Sequence, residues 1–337
     1  MMKLGMRILA LSLALVVGAL SLFGCSSATE KQEQTVIGSC AGYDVLYEEL
    51  RYVTLTYKDM FESTYGDGIW DNPESAERYR AELEETVWRV MLNNYAVLSA
   101  CKYYMPQESI EDEKISKAVD DVIAEMIESY GSKQKYREAL KDYYTTEHFL
   151  RFTLTVAELE NELFHVLTED LGLIENDADA FYDWLIQGGN CAYVQHIYVA
   201  NDKGEDVEAN RQKAEEARSL LITGEKTLSE MVGSSYNEDL TNTKPYYVIR
   251  DVYVEEIETA ALSLRAVGDV SPVIETPDGF YIFVRVGDSE AFLLAQIEGL
   301  LESYQWAKVE DIAQGFKSGI SVELNEYGKS IDLLAIK

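Results

Sequence analysis

Apolar and polar positions alternate at helical spacing at both ends of the 337-residue chain and at mixed spacing in its middle. From Leu46 the apolar residues recur at Leu50, Val53, Tyr57 and Phe61, which lays one buried stripe along a helix reaching about Tyr65. Asp44 is placed to cap it, and Gly66-Asp-Gly68 to break it. A second helix, Ser75 to Tyr104, carries Leu83, Val87, Val90, Met91 and Leu98 and stops before Pro106. The cleanest stripe is the third: Ile115, Val119, Val122, Ile123, Met126, Ile127 and Tyr130, ended by Gly131. A short helix from Lys133 to Tyr144 follows, then a long one from Glu147 to Asp170 with Thr146 as cap and Gly172 as terminator. Phe181, Trp184 and Leu185 mark one more amphipathic segment before Gly188-Gly189, a pair suited to a hinge. Beyond Asp288 the helical period returns through Leu293, Ile297, Leu300, Leu301, Tyr304, Ile312 and Phe316. Ile320, Val322 and Leu324 then alternate as a strand does.

Between these arms, residues 191–287 read as strand, helices and strands. Ala192 to Val199 is apolar around a single histidine, His196. A helix runs from Glu208 to Leu221 and stops at Gly224, and a second covers about Leu228 to Val232. Tyr246 to Ile249 is a strand, Val254 to Leu264 a helix and Ser271 to Ile274 a short strand. Pro277-Asp-Gly279 turns the chain into a last strand, Phe280 to Val286. A C-terminal helix and strand cannot bury an apolar face alone, so residues 288–337 are expected to pack on the N-terminal arm, with Val36–Tyr43 beside Ile320–Leu324.

Several pieces of the middle stretch occur in the order and spacing of one family: Gln195-His196-Ile197; Ala214-Glu-Glu-Ala-Arg218 through Gly224; Glu256-Ile-Glu-Thr-Ala-Ala261; Val267-Gly-Asp-Val-Ser-Pro272; and Thr276-Pro-Asp-Gly-Phe280. Together they resemble the parvulin family of peptidyl-prolyl isomerases across about a third of the chain. The resemblance implies a small antiparallel sheet wrapped by helices, with a shallow apolar groove for a proline ring. The outer arms resemble foldases of the SurA and PrsA type, in which N- and C-terminal segments form one chaperone module and the parvulin domain is inserted. The fold class expected is therefore α+β. Its parts are a tether at 25–35, a helical domain at 36–190, the parvulin-like domain at 191–287, and a C-terminal helix and strand at 288–337.

Prolyl isomerisation must twist an amide over a barrier of about 18–20 kcal/mol, and no covalent intermediate is required. A catalyst needs a dry pocket for the ring and hydrogen-bonding groups that favour the twisted amide. The resemblance puts the first histidine of such a site at His196 and its supporting threonine at Thr276. The second histidine of the family falls on Tyr281, whose hydroxyl donates and accepts but has no imidazole tautomers. The acidic position falls on Asp239, with Glu238 beside it as the alternative. The apolar pair that grips the ring falls on Tyr253 and Ile257 in place of Met and Phe. His196 also reads as an ordinary core histidine, and Tyr253 and Tyr281 as packing. Two readings of function stay open: a foldase that isomerises Xaa-Pro bonds, and a catalytically weak or inactive chaperone or peptide-binding scaffold. The tyrosine-rich walls, with Tyr193, Tyr198, Tyr246 and Tyr247, would instead suit binding of extended unfolded segments, as rings supply contact area at low entropy cost.

The start of the chain changes where that activity is expected. Lys3 and Arg7 precede an uncharged apolar run from Ile8, the layout of a secretory signal spanning residues 1–24. Leu22-Phe-Gly-Cys25 resembles the lipobox of bacterial lipoproteins, in which Cys25 is acylated and becomes the first residue of a membrane-held, extracytoplasmic protein. An uncleaved membrane helix is the alternative, although the run is short for a span. Removing the signal takes two positive charges from a net charge of −31 and leaves −33. Such a surface repels nucleic acid and anionic headgroups, so the partners expected are unfolded or proline-containing secreted polypeptides, with lipid as the anchor. Cys40, Cys101 and Cys191 are odd in number and far apart, which signals neither a disulfide framework nor a metal knuckle. Only His148, His165 and His196 occur, none paired at helical spacing, and no Gly-rich phosphate loop is present; no metal or cofactor is expected.

Overall fold

A computed structural model describes residues 33–110, 112–201 and 207–337. The signal-like segment and Cys25 lie outside the described residues. By the density of its contacts the chain divides into two units, one of residues 172–308 and one that joins the N-terminal arm through Leu171 to residues 309–337. The fold is α+β, with one small antiparallel sheet in each unit.

The helical unit begins with a hairpin, β1 (Val36–Cys40) and β2 (Tyr43–Leu46), and continues directly into α1 (Tyr47–Tyr65). Asp44 therefore lies within β2, opposite Ser39, and does not cap the helix. Next come α2 (Pro73–Tyr104), α3 (Glu113–Ser129), α4 (Lys133–Asp142) and α5 (Glu147–His165). Each of the last four starts where a short polar side chain replaces a missing backbone acceptor. Asn72 accepts from Glu74 and Ser75, Asp112 from Lys114, Ser132 from Lys135, and Thr146 from Phe149. The long helix expected to reach Asp170 relaxes into a single π turn at Val166–Asp170 before Gly172 reverses the chain.

The other unit starts with α6 (Ala178–Gln187), then β3 (Cys191–Ala200), α7 (Val207–Thr223), α8 (Leu228–Val232), β4 (Tyr246–Ile249) and α9 (Glu255–Ser263). It continues through β5 (Ile274–Thr276), β6 (Gly279–Arg285) and α10 (Glu290–Leu294) into α11 (Ile297–Lys317), within which the division between the units falls. The C-terminal β7 (Glu323–Leu324) belongs to the helical unit and pairs antiparallel with β1, Gly38 opposite Leu324. A side chain at Gly38 would bring its Cβ within 2.5 Å of the Glu323 carbonyl, so glycine is what allows the C-terminal strand to approach.

In the second sheet the order is β4-β3-β6-β5, all antiparallel. Period-2 alternation along β3 sends Ala192 and Val194 to one face, where Ile257, Ala261 and Phe283 join them under α9. Ile197 and Val199 go to the other face, with Ala214, Ala217 and Met231 of α7 and α8. The strand expected at Ser271–Ile274 is displaced to Ile274–Thr276 because Pro272 has no N–H to offer the ladder. Ser271 bridges the gap, its hydroxyl oxygen accepting from Phe283 N at 2.9 Å.

Gly188-Gly189 is not a hinge in this fold. Asn190 closes the end of α6 through its N–H to Leu185 O and its side-chain amide to Trp184 O, and its side-chain oxygen accepts from Arg250. Phe181 and Leu185 of α6 then pack on Tyr247 and Ile249 of β4 together with Leu293, Ile297 and Leu301. The compact unit accordingly takes in the helices flanking 191–287.

Candidate functional site

His196 lies in the middle of β3, opposite Phe283 of β6. It is buried, 2% exposed, yet neither ring nitrogen lacks a partner. Nδ1 is 2.9 Å from the Tyr246 hydroxyl, and Nε2 is 3.1 Å from Asp239 Oδ2. Antiparallel register makes the first contact: Tyr246 stands opposite Val194, one residue pair along the same face from His196.

Asp239 is delivered by the loop between α8 and β4, and that loop is tied down residue by residue. Asn237 accepts from Tyr198 N at 3.1 Å and donates to the Val232 and Asp239 carbonyls. Glu238 donates its N–H to Tyr198 O, while its carboxylate accepts from Ala200 N and pairs with Lys213. Glu238 thus closes the edge of β3, and Asp239 alone of the two carboxylates meets the histidine. Asp239 Oδ1 accepts from Thr241 N, Thr241 Oγ1 and Asn242 N at 2.8, 2.6 and 3.0 Å. Burial raises its pKa, but these donors together outweigh burial and hold the carboxyl well below the usual carboxylate range.

The protonation of the site follows from that carboxylate. Ionised Asp239 only accepts, so Nε2 must carry the imidazole proton, and Nδ1 then accepts from the Tyr246 hydroxyl. Burial lowers the His196 pKa against the attraction of Asp239, which keeps the ring neutral. Burial also pushes the Tyr246 phenol up, so it stays a donor. The result is a neutral, oriented imidazole with both nitrogens engaged within the chain.

The remaining residues singled out by sequence are placed differently. Tyr281 stands opposite Tyr198, with ring centroids 4.6 Å apart, and its ring meets the edge of the His196 ring at 5.6 Å. Thr276 ends β5 opposite Gly279, and across the turn its hydroxyl donates to Gly279 O at 3.0 Å. Tyr253 packs 6.3 Å from the Tyr246 ring and donates its hydroxyl to Tyr247 O, and burial raises its pKa to about 12. Ile257 is 2% exposed, packed in the core against the sheet. Glu258 holds the wall in place by accepting from Val252 N and Tyr253 N, both at 2.8 Å. Sequence reasoning placed Tyr246 on the wall but missed it as the histidine's partner; counting the alternation of β3 and β4 from a paired register would have found it.

His196 therefore sits on a polar floor made with Asp239 and Tyr246, under a collar of Tyr198, Tyr253 and Tyr281. Such a floor can offer hydrogen bonds to an amide only by surrendering internal ones. Among the described residues no cluster of three or more His, Cys, Asp or Glu has metal-holding geometry.

No family model matches the chain. A curated relative, the foldase protein PrsA of Caldanaerobacter subterraneus subsp. tengcongensis, is 24% identical over 301 residues, which cover 88% of each chain. Among solved structures, a PrsA peptidylprolyl isomerase from Bacillus anthracis is 18% identical, covers 67% of this chain and 94% of its own, and superposes with a TM-score of 0.36. PrsA from Streptococcus pneumoniae is 15% identical over 72% of this chain and 85% of its own, with a TM-score of 0.38. The sequence relationship is near full length and runs through both units, so the chain is similar to foldases of the PrsA type along most of its length.

Proposed function

We propose that the protein is a foldase and chaperone of the peptidyl-prolyl isomerase type that acts on unfolded secreted chains and carries a residual isomerase site. The observation that carries this reading is His196, kept neutral by burial and oriented on the central strand by Asp239 and Tyr246. Similarity to a protein named as a foldase supports the broader role. In this reading His196 and Asp239 act on the twisted amide, Tyr281 stands in for the second histidine, and Thr276 keeps the turn in shape. Tyr253 and Ile257 stand where a proline ring would be gripped. Each is used internally or buried, so turnover is expected to be weak or undetectable while client binding is retained. Neither metal nor cofactor enters this chemistry.

The chain is organised for this role, in our proposal, with 36–190 and 288–337 as the chaperone segments and 191–287 supplying the isomerase-like sheet, on which α6, α10 and the start of α11 pack. Acylation at Cys25 would hold it on the extracytoplasmic face of the membrane. No described helix is long and apolar enough to cross a membrane. The Cys25→Ala variant should then leave the membrane fraction and stay folded; retention after carbonate washing would reject lipid anchoring.

Two assays test the function. A protease-coupled proline peptide should show little acceleration, and aggregation of an unfolded client should be suppressed at near-stoichiometric protein. An isomerase rate like that of an efficient enzyme would reject the residual-site reading, and absence of both activities would reject the foldase reading. The scaffold alternative is favoured by one observation: Ile257 and the Tyr253 hydroxyl leave little free wall for a ring.

A further inference from the structure

In the helical unit, α3, α4 and α5 line a half-open cavity of about 400 Å³. Ile123, Ala124 and Ile127 of α3 make an apolar wall. Tyr136 of α4 lines it as well, 1% exposed, and its hydroxyl has no partner among the described residues. A buried hydroxyl without a partner is costly, and such a group marks a position where an acceptor from outside would be stabilised.

The charges around this cavity run against the rest of the chain. Lys133 and Arg137 stand one helical turn apart on α4, both exposed, and neither has an ion-pair partner among the described residues. Arg151 of α5 is engaged with Asp120 and Glu147, so these two carboxylates are already neutralised in part. Three cations thus face two anions in a protein of net charge −31. The start of α4 adds the positive end of a ten-residue helix.

We propose that this cavity binds a polypeptide segment in which an apolar side chain lies next to a carboxylate. The apolar group would fill the space beside Ile123 and Ile127, and the carboxylate would accept from the Tyr136 hydroxyl and face Lys133 and Arg137. The carboxylate could come from a chain terminus or from an Asp or Glu side chain; its chemistry in the site is the same. This deepens the foldase reading by giving the helical unit a client-binding site with its own selectivity, independent of His196.

Isothermal titration of the purified protein with three acetylated peptides tests it: Ala-Ala-Gly-Phe-Leu with a free carboxyl terminus, the same peptide amidated, and amidated Ala-Ala-Gly-Phe-Leu-Glu. At least one carboxylate peptide should bind about tenfold tighter than the neutral one, and which of the two does so identifies the source. The preference should shrink to about twofold in the Lys133→Gln/Arg137→Gln variant and weaken in high salt. Tyr136→Phe should lose about fivefold in carboxylate binding while its Tm stays level or rises, because an unpartnered hydroxyl has been removed. Equal affinity for charged and neutral peptides, or a preference indifferent to Lys133 and Arg137, would overturn the assignment, as would a lowered Tm for Tyr136→Phe. Aggregation suppression separates this from the parent reading. A protein that protects an unfolded client yet shows no carboxylate preference keeps the foldase role and loses the pocket. One that binds the peptides and protects nothing does the reverse.

Discussion

Replacing Glu49 by Gln should make the helical unit more stable in alkali and leave it nearly unchanged in acid. Glu49 lies in the first turn of α1 and is 3% exposed. One carboxyl oxygen accepts from the Tyr95 hydroxyl at 2.7 Å, and the other has no partner among the described residues. Glu48 is its neighbour on α1, Cys40 acts on it from the hairpin and Tyr95 from α2, with Asp44 acting in turn on Tyr95; none is a cation. Burial raises the Glu49 pKa to about 8, opposed by the Tyr95 hydrogen bond and assisted by Glu48. The folded value lies above the ordinary 4.5, so between those two pH values the native state holds a proton that the unfolded chain has lost. Stability therefore falls as pH rises through this window. At about 1.4 kcal/mol per unit over roughly three and a half units, the penalty grows to about 5 kcal/mol near pH 8 and stays level above it. Glutamine cannot ionise, and its carbonyl keeps the acceptor for Tyr95 at the cost of an unpaired amide worth about 1 kcal/mol. Urea unfolding at pH 5, 7 and 9 would read the effect, with Trp184 and Trp306 replaced by Phe so that the signal comes from Trp70 and Trp88. Titrations of the many other carboxylates are common to both proteins and cancel in the difference. Wild-type and Glu49→Gln curves that run parallel in pH, or a variant that is weaker at pH 9, would refute the buried neutral acid.

The His196 site yields two further expectations. Tyr246→Phe removes the donor to a buried nitrogen and should cost about 1–3 kcal/mol in urea unfolding; an unchanged midpoint would mean that the hydrogen bond contributes nothing. Nitrogen NMR of the imidazole should find the Nε2–H tautomer in the wild type and a mixture in Asp239→Asn, and a wild-type Nδ1–H form would contradict the network. Converting Ile257 to Phe to rebuild a ring-gripping wall should destabilise by about 1–3 kcal/mol, because the residue is enclosed by Ala192, Val194 and Phe283 rather than facing a groove; a Tm equal to wild type would show the wall to be open. Gly38→Ala should detach β7, seen as rapid amide exchange at residues 323–325, and preserved protection there would show that the strands can move apart at no cost.

Local chemistry determined most of the elements from sequence alone. The 3.6-residue stripes of the arms and the caps Thr146 and Gly172 depend only on near neighbours in the chain, as does the Pro277-Asp-Gly279 turn, so they were legible in one dimension. The same holds for His196, which stood out as the single histidine in a largely apolar strand. Its partners were not legible. Which of Tyr246 and Tyr281 reaches Nδ1 depends on how β4 and β6 register against β3, and a shift of one residue would have turned either ring to the opposite face. Asp239 was distinguished from Glu238 only by bonds to residues distant in sequence, His196 for the one and Ala200 and Lys213 for the other. Gly188-Gly189 reads as a hinge locally and is pinned globally, because Asn190 finds Arg250 across the sheet. Tertiary structure decided these points because hydrogen-bond partners and burial are set by pairing and packing over long sequence separations, where periodicity carries no signal.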